Sequence, residues 1–191
     1  MSAPRLIVLD RDGVLNRLVV HRAGPSPESP HSIAEVEILP GVPAALKALT
    51  DAGFVLAIAT NQPAAAKGEI TLAELESIHA AVVAGAEAGG GRIARSFICR
   101  HRSEDACSCR KPLPGLLRDA LLAFPATRAE EAWMVGDRAT DVIAGETLGF
   151  ATALLGAVWP EDEEMLKNRG LAPSFRGRDL QEFADFRLKS V

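Results

Sequence analysis

The chain has 191 residues, 48% of them hydrophobic and 24% charged, with a formal net charge of -4 at neutral pH. A single domain of this length buries about 70% of its extended surface without staples, an acidic balance excludes the basic excess of a general nucleic-acid binder, and no apolar run reaches the roughly 18 residues of a membrane span or the pattern of a signal peptide. The expectation is one domain over residues 1–191, located in the cytoplasm and working as a monomer without nucleic-acid or membrane partners.

The first element is an apolar run, Leu6 to Leu9, that stops at Asp10; Asp12 follows, and Gly13 permits a sharp turn. If this strand is central and parallel, the two acids stand at the mouth of the crevice where open α/β sheets bind ligands. Residues 17 to 40 hold Gly24, Pro25, Pro27, Pro30 and Pro40, a density that forbids a long helix or central strand, so a loop or flap beside the crevice is expected. Pro43 to Ala52 has helical spacing and closes at Gly53. Phe54 to Ala59 runs apolar without alternation, as a strand covered on both faces does, and ends at a polar turn, Thr60-Asn61-Gln62-Pro63.

Thr71 and Glu74 form a capping-box pattern for a helix through Ile78, Ala81 and Val82 towards Gly85. Ile93 to Ile98 reads as a third strand. Pro114 to Leu122 carries an amphipathic helix, Trp133 to Gly136 a short buried strand ending at Asp137, and Ala139 to Leu148 a helix closing at Gly149. Ala151 to Leu155 gives one more strand and Asp179 to Leu188 a final helix. Strands alternating with helices at this spacing predict a three-layer α/β fold, a parallel sheet with helices on both faces.

Polar groups suited to one reaction recur where the strands and loops end: Asp10 and Asp12, then Thr60 and Asn61, then Arg110 and Lys111, then Asp137 and Asp141. They supply a nucleophile, an acid/base, hydroxyl and amide donors, cations and carboxylates for a metal, which together suit phosphoryl transfer. The phosphate-loop pattern Gly-x-x-x-x-Gly-Lys-Ser/Thr and the Gly-x-Ser-x-Gly elbow are both absent. Asp141, four residues after Asp137, serves either to order metal-bound water or as an acid stabilising the start of a helix.

In these motifs the chain resembles the haloacid dehalogenase superfamily of phosphohydrolases. Asp10-Arg11-Asp12-Gly13-Val14 matches its first motif, Thr60 the second, Lys111 the third and Gly136-Asp137-Arg138-Ala139-Thr140-Asp141 the fourth. The resemblance implies a Rossmann-like fold and attack by Asp10 on phosphorus to form an aspartyl-phosphate. It implies that Asp12 protonates the leaving alkoxide and then deprotonates the hydrolytic water. It also implies Mg²⁺ held by the Asp10 carboxylate, the Asp12 carbonyl and Asp137, with Thr60, the Asn61 amide and Lys111 on the phosphoryl oxygens.

All three cysteines lie in one stretch. Cys99-x-His101 followed by Cys107-x-Cys109 offers three thiolates and one imidazole, the ligand set of a closed structural zinc site. Such a site organises its loop and leaves no position for catalysis. Cys109 runs directly into Arg110-Lys111-Pro112, and the whole run resembles the small, capless group of heptose bisphosphate and histidinol-phosphate phosphatases, in which Arg110 would help bind substrate. The expected substrate is therefore a sugar phosphate, foremost a D-glycero-D-manno-heptose 1,7-bisphosphate. Histidinol phosphate is the alternative within the class, and a catalytically idle phosphosugar-binding module the alternative outside it. Lys67 and the pair His21-Arg22 would favour an anionic substrate if they lie near the crevice. The chain departs from the group after Gln62, where Pro63-Ala64-Ala65-Ala66-Lys67-Gly68 replaces a Ser-Gly-Ile-x-Arg-Gly type of sequence, and at Arg100, where Pro is usual.

Overall fold

A computed structural model describes residues 5–21 and 26–189. Its main sheet contains β1 (Arg5–Leu9), β4 (Phe54–Asn61), β5 (Ile93–Cys99), β6 (Trp133–Gly136), β7 (Ala151–Leu155) and β8 (Phe175–Gly177), in the order β5-β4-β1-β6-β7-β8. All its neighbouring pairs run parallel. Parallel sheets need both faces covered, and the strands show it. In β1, Ile7 and Leu9 face one apolar layer while Leu6 and Val8 face the other, and all four are fully buried.

Helices α1 (Val42–Asp51), α3 (Leu72–Glu87) and α7 (Leu180–Leu188) cover the first face through Leu46, Leu49, Val82 and Phe183. Helices α4 (Gly115–Ala123), α5 (Ala139–Thr147) and α6 (Pro160–Asn168) cover the second through Leu117, Ala144 and Leu166. Each fully buried Leu or Phe contributes about 1.5–3 kcal/mol relative to exposure. The expected three-layer α/β architecture is thus the one found. No helix among the described residues is long and apolar enough to cross a membrane.

Several boundaries differ from expectation. β4 continues through Thr60 to Asn61, because Asn61 pairs with Cys99 of β5, so these residues end a strand where a turn was expected. α3 runs past Gly85 to Glu87; a Cβ at Gly85 would lie 2.6 Å from Ile38, so the glycine allows close packing against the first loop and does not end the helix. α6 and β8 lie in a tail whose polar sequence carries little apolar periodicity. The described residues of the 17–40 segment contain no long element, in keeping with its prolines. It forms a hairpin of β2 (Val19–Val20) and β3 (Pro27–Glu28), and the four-residue α2 (Ala64–Lys67) lies after β4. Arg22, Gly24 and Pro25 fall outside the described residues. β1 sits between β4 and β6, so its carboxyl end opens at the point where the chain winds outward in both directions.

Candidate active site

The sheet order decides which strand ends meet. Asp10 follows β1 and its backbone amide donates to the Val135 carbonyl of β6 at 2.8 Å. The turn then passes through Gly13 at φ +80°, where a Cβ would stand 2.1 Å from Asp137 Oδ2. Only glycine lets the first turn lie against the acid that follows β6. Likewise a Cβ on Gly136 would meet the Asp141 carboxyl at 2.2 Å. Two glycines thus allow Asp10, Asp137 and Asp141 to converge, each with an oxygen within 4.8 Å of the others.

Lys111 answers them. Its Nζ lies 3.0 Å from Asp10 Oδ1 and 2.5 Å from Asp141 Oδ1, and donates to the Ala59 carbonyl at 2.7 Å. Burial disfavours the Lys111 charge, but the Asp10 and Asp141 carboxylates outweigh it and hold the ammonium above its ordinary value. One cation does not balance three acids. Burial, then the neighbouring Asp10 and Asp141 charges, pushes Asp137 up to about 8, and burial raises Asp10 to about 6 against the pull of Lys111. A crowded, under-neutralised set of hard oxygens is what a divalent cation such as Mg²⁺ fits. Asp141 faces this cluster and accepts the Arg138 amide at 3.1 Å at the start of α5.

Asp12 occupies a separate, buried network. Arg11, 1% exposed, donates from Nη2 to Asp12 Oδ1 at 3.0 Å and to Gln62 Oε1 at 2.8 Å. Asn16 Nδ2 donates to Asp12 Oδ1 at 2.9 Å, Gln62 Nε2 to Oδ2 at 2.5 Å, and Ser29 Oγ to Oδ2 at 2.9 Å. Sequence reasoning assigned no work to Arg11, Asn16, Ser29 or Gln62. Arg11, Asn16 and Gln62 lie in or beside the motifs, which was the available signal; Ser29 had none. Thr60 accepts from Gln62 Nε2 at 2.9 Å. The Asn61 side chain is occupied with the Lys111 backbone, donating to its carbonyl at 3.0 Å and accepting its amide at 3.1 Å. Asn61 therefore ties β4 to the lysine.

Asp10, Asp12, Thr60, Asn61, Lys111 and Asp137 line a cavity of about 470 Å³, together with Arg110, Arg138 and the flap residues Leu18, Pro27, Glu28, Ser29 and His31. Lys67 also lines it, 3.5 Å from Glu69 and 4.0 Å from Glu28. His21 does not line it; its ring stacks on His31 at 3.8 Å. Arg138 is held by the buried Asp162 at 2.6 Å. Of the four Lys and Arg side chains lining the cavity, Arg110 alone has no carboxylate partner among the described residues.

Beyond the cavity rim, β5 ends at Cys99, and the loop folds back so that all four predicted zinc ligands converge. Cys107 Sγ is 3.7 Å from Cys99 Sγ and 3.6 Å from Cys109 Sγ, while His101 Nδ1 is 3.6 Å from Cys99 Sγ and 3.3 Å from Cys109 Sγ. Zinc–sulfur bonds of about 2.3 Å set tetrahedral edges of about 3.8 Å, so the set has the size of a zinc tetrahedron. A disulfide needs about 2.05 Å between sulfurs. Burial and the neighbouring sulfurs push the Cys109 thiol up to about 12, a crowding that a bound cation relieves.

A haloacid dehalogenase-like hydrolase family model matches residues 30–149. The chain belongs to this family. The haloacid dehalogenase-like hydrolase is 35% identical over 151 residues to a D-glycero-beta-D-manno-heptose-1,7-bisphosphate 7-phosphatase of Neisseria meningitidis serogroup A, covering 79% of this chain and 76% of that one. It is 30% identical over 152 residues to a D-glycero-alpha-D-manno-heptose-1,7-bisphosphate 7-phosphatase of Mycobacterium bovis, covering 80% and 77%. Among solved structures it is similar to the D,D-heptose 1,7-bisphosphate phosphatase of B. bronchiseptica complexed with magnesium and phosphate. That match has a TM-score of 0.83 and 32% identity, and covers 98% of this chain and 99% of the other.

Proposed function

We propose that this hydrolase, as one domain, removes the 7-phosphate from a D-glycero-D-manno-heptose 1,7-bisphosphate through an aspartyl-phosphate on Asp10. The observation that carries the reading is the Asp10 carboxylate at the cavity with the Lys111 ammonium 3.0 Å away and Asp12 in the same turn. The names and coverage of the relatives supply the substrate. In the first half-reaction an Asp10 oxygen bonds to phosphorus while the bond from phosphorus to the sugar oxygen breaks, and Asp12 delivers a proton to that oxygen. In the second, water displaces the phosphoryl group from Asp10 and Asp12 takes its proton. Lys111, the Thr60 hydroxyl and the Asn61 amide hold phosphoryl oxygens against repulsion from the acids. Asp10, the Asp12 carbonyl and Asp137 would hold Mg²⁺, which supplies charge neutralisation for the phosphate dianion when bound.

Arg110 is assigned to the second phosphate because it is the lining cation with no carboxylate partner among the described residues. Cys99, His101, Cys107 and Cys109 would hold structural Zn²⁺, which fixes the approach of Arg110 and Lys111. Histidinol phosphate is a second reading, since Glu28 and Glu69 could face an ammonium group. Lys67 sits between those two acids and largely answers them.

Steady-state kinetics on both anomers of heptose 1,7-bisphosphate, fructose 1,6-bisphosphate and histidinol phosphate test the assignment. A heptose bisphosphate should give the highest kcat/KM, and preference for histidinol phosphate would overturn it. Asp10→Asn should abolish phosphate release.

A further inference from the structure

Asp12 is held from two directions. On one side are groups of its own turn and of the sheet end: the Arg11 guanidinium, Asn16 Nδ2, and Gln62 Nε2, which is itself braced on Thr60 Oγ1. On the other side is the segment that carries the β2–β3 hairpin, from which Ser29 Oγ reaches Asp12 Oδ2 at 2.9 Å. The Ser29 backbone is anchored in turn, its carbonyl 2.9 Å from the His21 Nε2, and that imidazole stacks on His31. Pro27, Glu28 and Ser29 also form part of the cavity wall.

Among the described residues, every hydrogen-bond partner of the Asp12 carboxylate is a donor. Guanidinium and amide nitrogens can only donate to it, and the Ser29 hydroxyl approaches the same oxygen as the Gln62 amide. Donors alone complement an ionised carboxylate, the form in which Asp12 enters the second half-reaction. In the first half-reaction, on the reading above, the departing sugar oxygen must lie against Asp12 to take its proton. After departure, the hairpin is what still braces Asp12 from that side.

We propose that Ser29 is a positioning residue for the hydrolytic half-reaction, holding the Asp12 carboxylate in the orientation that takes a proton from the attacking water. This rests on the aspartyl-phosphate reading above. In the step concerned, the water oxygen bonds to phosphorus as the bond from phosphorus to the Asp10 oxygen breaks. That electron pair returns to Asp10, one water proton passes to Asp12, and inorganic phosphate leaves.

The test uses the full chain loaded with zinc and Mg²⁺, with p-nitrophenyl phosphate as probe, because its good leaving group needs no acid in the first half-reaction. Slowing only hydrolysis of a covalent intermediate lowers kcat and KM together and leaves kcat/KM unchanged. Ser29→Ala should lower both by about tenfold, the scale of one lost hydrogen bond to a charged group. Acid quench during turnover should then trap more hydroxylamine-sensitive phosphoenzyme than in the parent protein, and Ser29→Thr should restore parental behaviour. A fall in kcat/KM without phosphoenzyme accumulation would overturn the proposal, as would a Ser29→Ala protein indistinguishable from the parent. If neither protein forms phosphoenzyme while turning over, the covalent reading itself fails and the proposal with it. Trapped phosphoenzyme that is unchanged by Ser29→Ala removes only the role of Ser29.

Discussion

Replacing Lys111 by Met removes the one ammonium among three acids. Lys111 is 3% exposed and Asp141 1%, with the nitrogen 2.5 Å from Asp141 and 3.0 Å from Asp10. Met fills much of the same volume, so packing changes little and the dominant cost is electrostatic. At those distances each pair is worth about 5–7 kcal/mol at an effective dielectric near 20, offset by the desolvation of both partners. Breaking a buried pair by deleting one member costs about 3–5 kcal/mol net, or about 6–20 °C in Tm for a chain of this size. Urea unfolding in buffer with zinc and without Mg²⁺ measures it. Adding Asp141→Asn to Lys111→Met removes the stranded charge yet keeps an oxygen to accept the Arg138 amide. The double variant should recover about 2 kcal/mol or more. Phosphatase activity should stay lost in both, since the cation facing Asp10 is gone. A loss below about 1 kcal/mol in the single variant, or no recovery in the double, would refute the electrostatic account of this lysine.

Asp10 and Asp137 have folded pKa values raised to about 6 and about 8 by burial, so without Mg²⁺ the unfolded chain gives up these protons more readily than the folded one. Their contribution is fully present below pH about 4 and is lost as pH rises towards 8. Thermal melts should show Mg²⁺ stabilising the protein more at pH 8 than at pH 5; equal stabilisation would contradict it. Gly13→Ala forces a side chain into φ +80° with its Cβ 2.1 Å from Asp137 Oδ2. It should cost about 1–2 kcal/mol of strain alone and weaken Mg²⁺ activation, seen as a raised half-saturating Mg²⁺ concentration. On the zinc reading, Cys107→Ser should lower the zinc content per chain, measured by metal analysis, and lower kcat/KM because Cys109 leads straight into Arg110 and Lys111. Full activity in a zinc-free protein would show that the loop needs no metal to place the two cations.

Much of the site was legible in the sequence because its parts are local. Asp10 and Asp12 stop an apolar run, and Cys-x-His and Cys-x-Cys are close enough in sequence to share one metal; the structure brings the cysteines and His101 together and sets Asp10 beside Asp137 and Asp141. The polar neighbours of Asp12 were not legible in the same way. Gln62 is 50 residues from Asp12 and Ser29 is 17, and nothing in a Pro-rich loop says which hydroxyl will return to the cavity. Asn61 illustrates a finer limit, since its position was evident but its side chain serves the Lys111 backbone. Lys67 also was visible as a positive charge, yet the tertiary fold surrounds it with Glu28 and Glu69.

The sequence by itself determined the alternation of buried strands and amphipathic helices, and with it a parallel sheet whose strand ends carry acids, because apolar periodicity and turn chemistry act within a few residues. Only the tertiary structure decided that β1 lies between β4 and β6. That order makes Lys111 the partner of Asp10 and Asp141 and leaves Arg110 without a carboxylate among the described residues. The tertiary fold also brings Ser29, outside the main sheet, onto Asp12. Charge pairing and hydrogen bonding depend on distances of a few ångströms between segments far apart in the chain, and those distances exist only once the sheet is assembled.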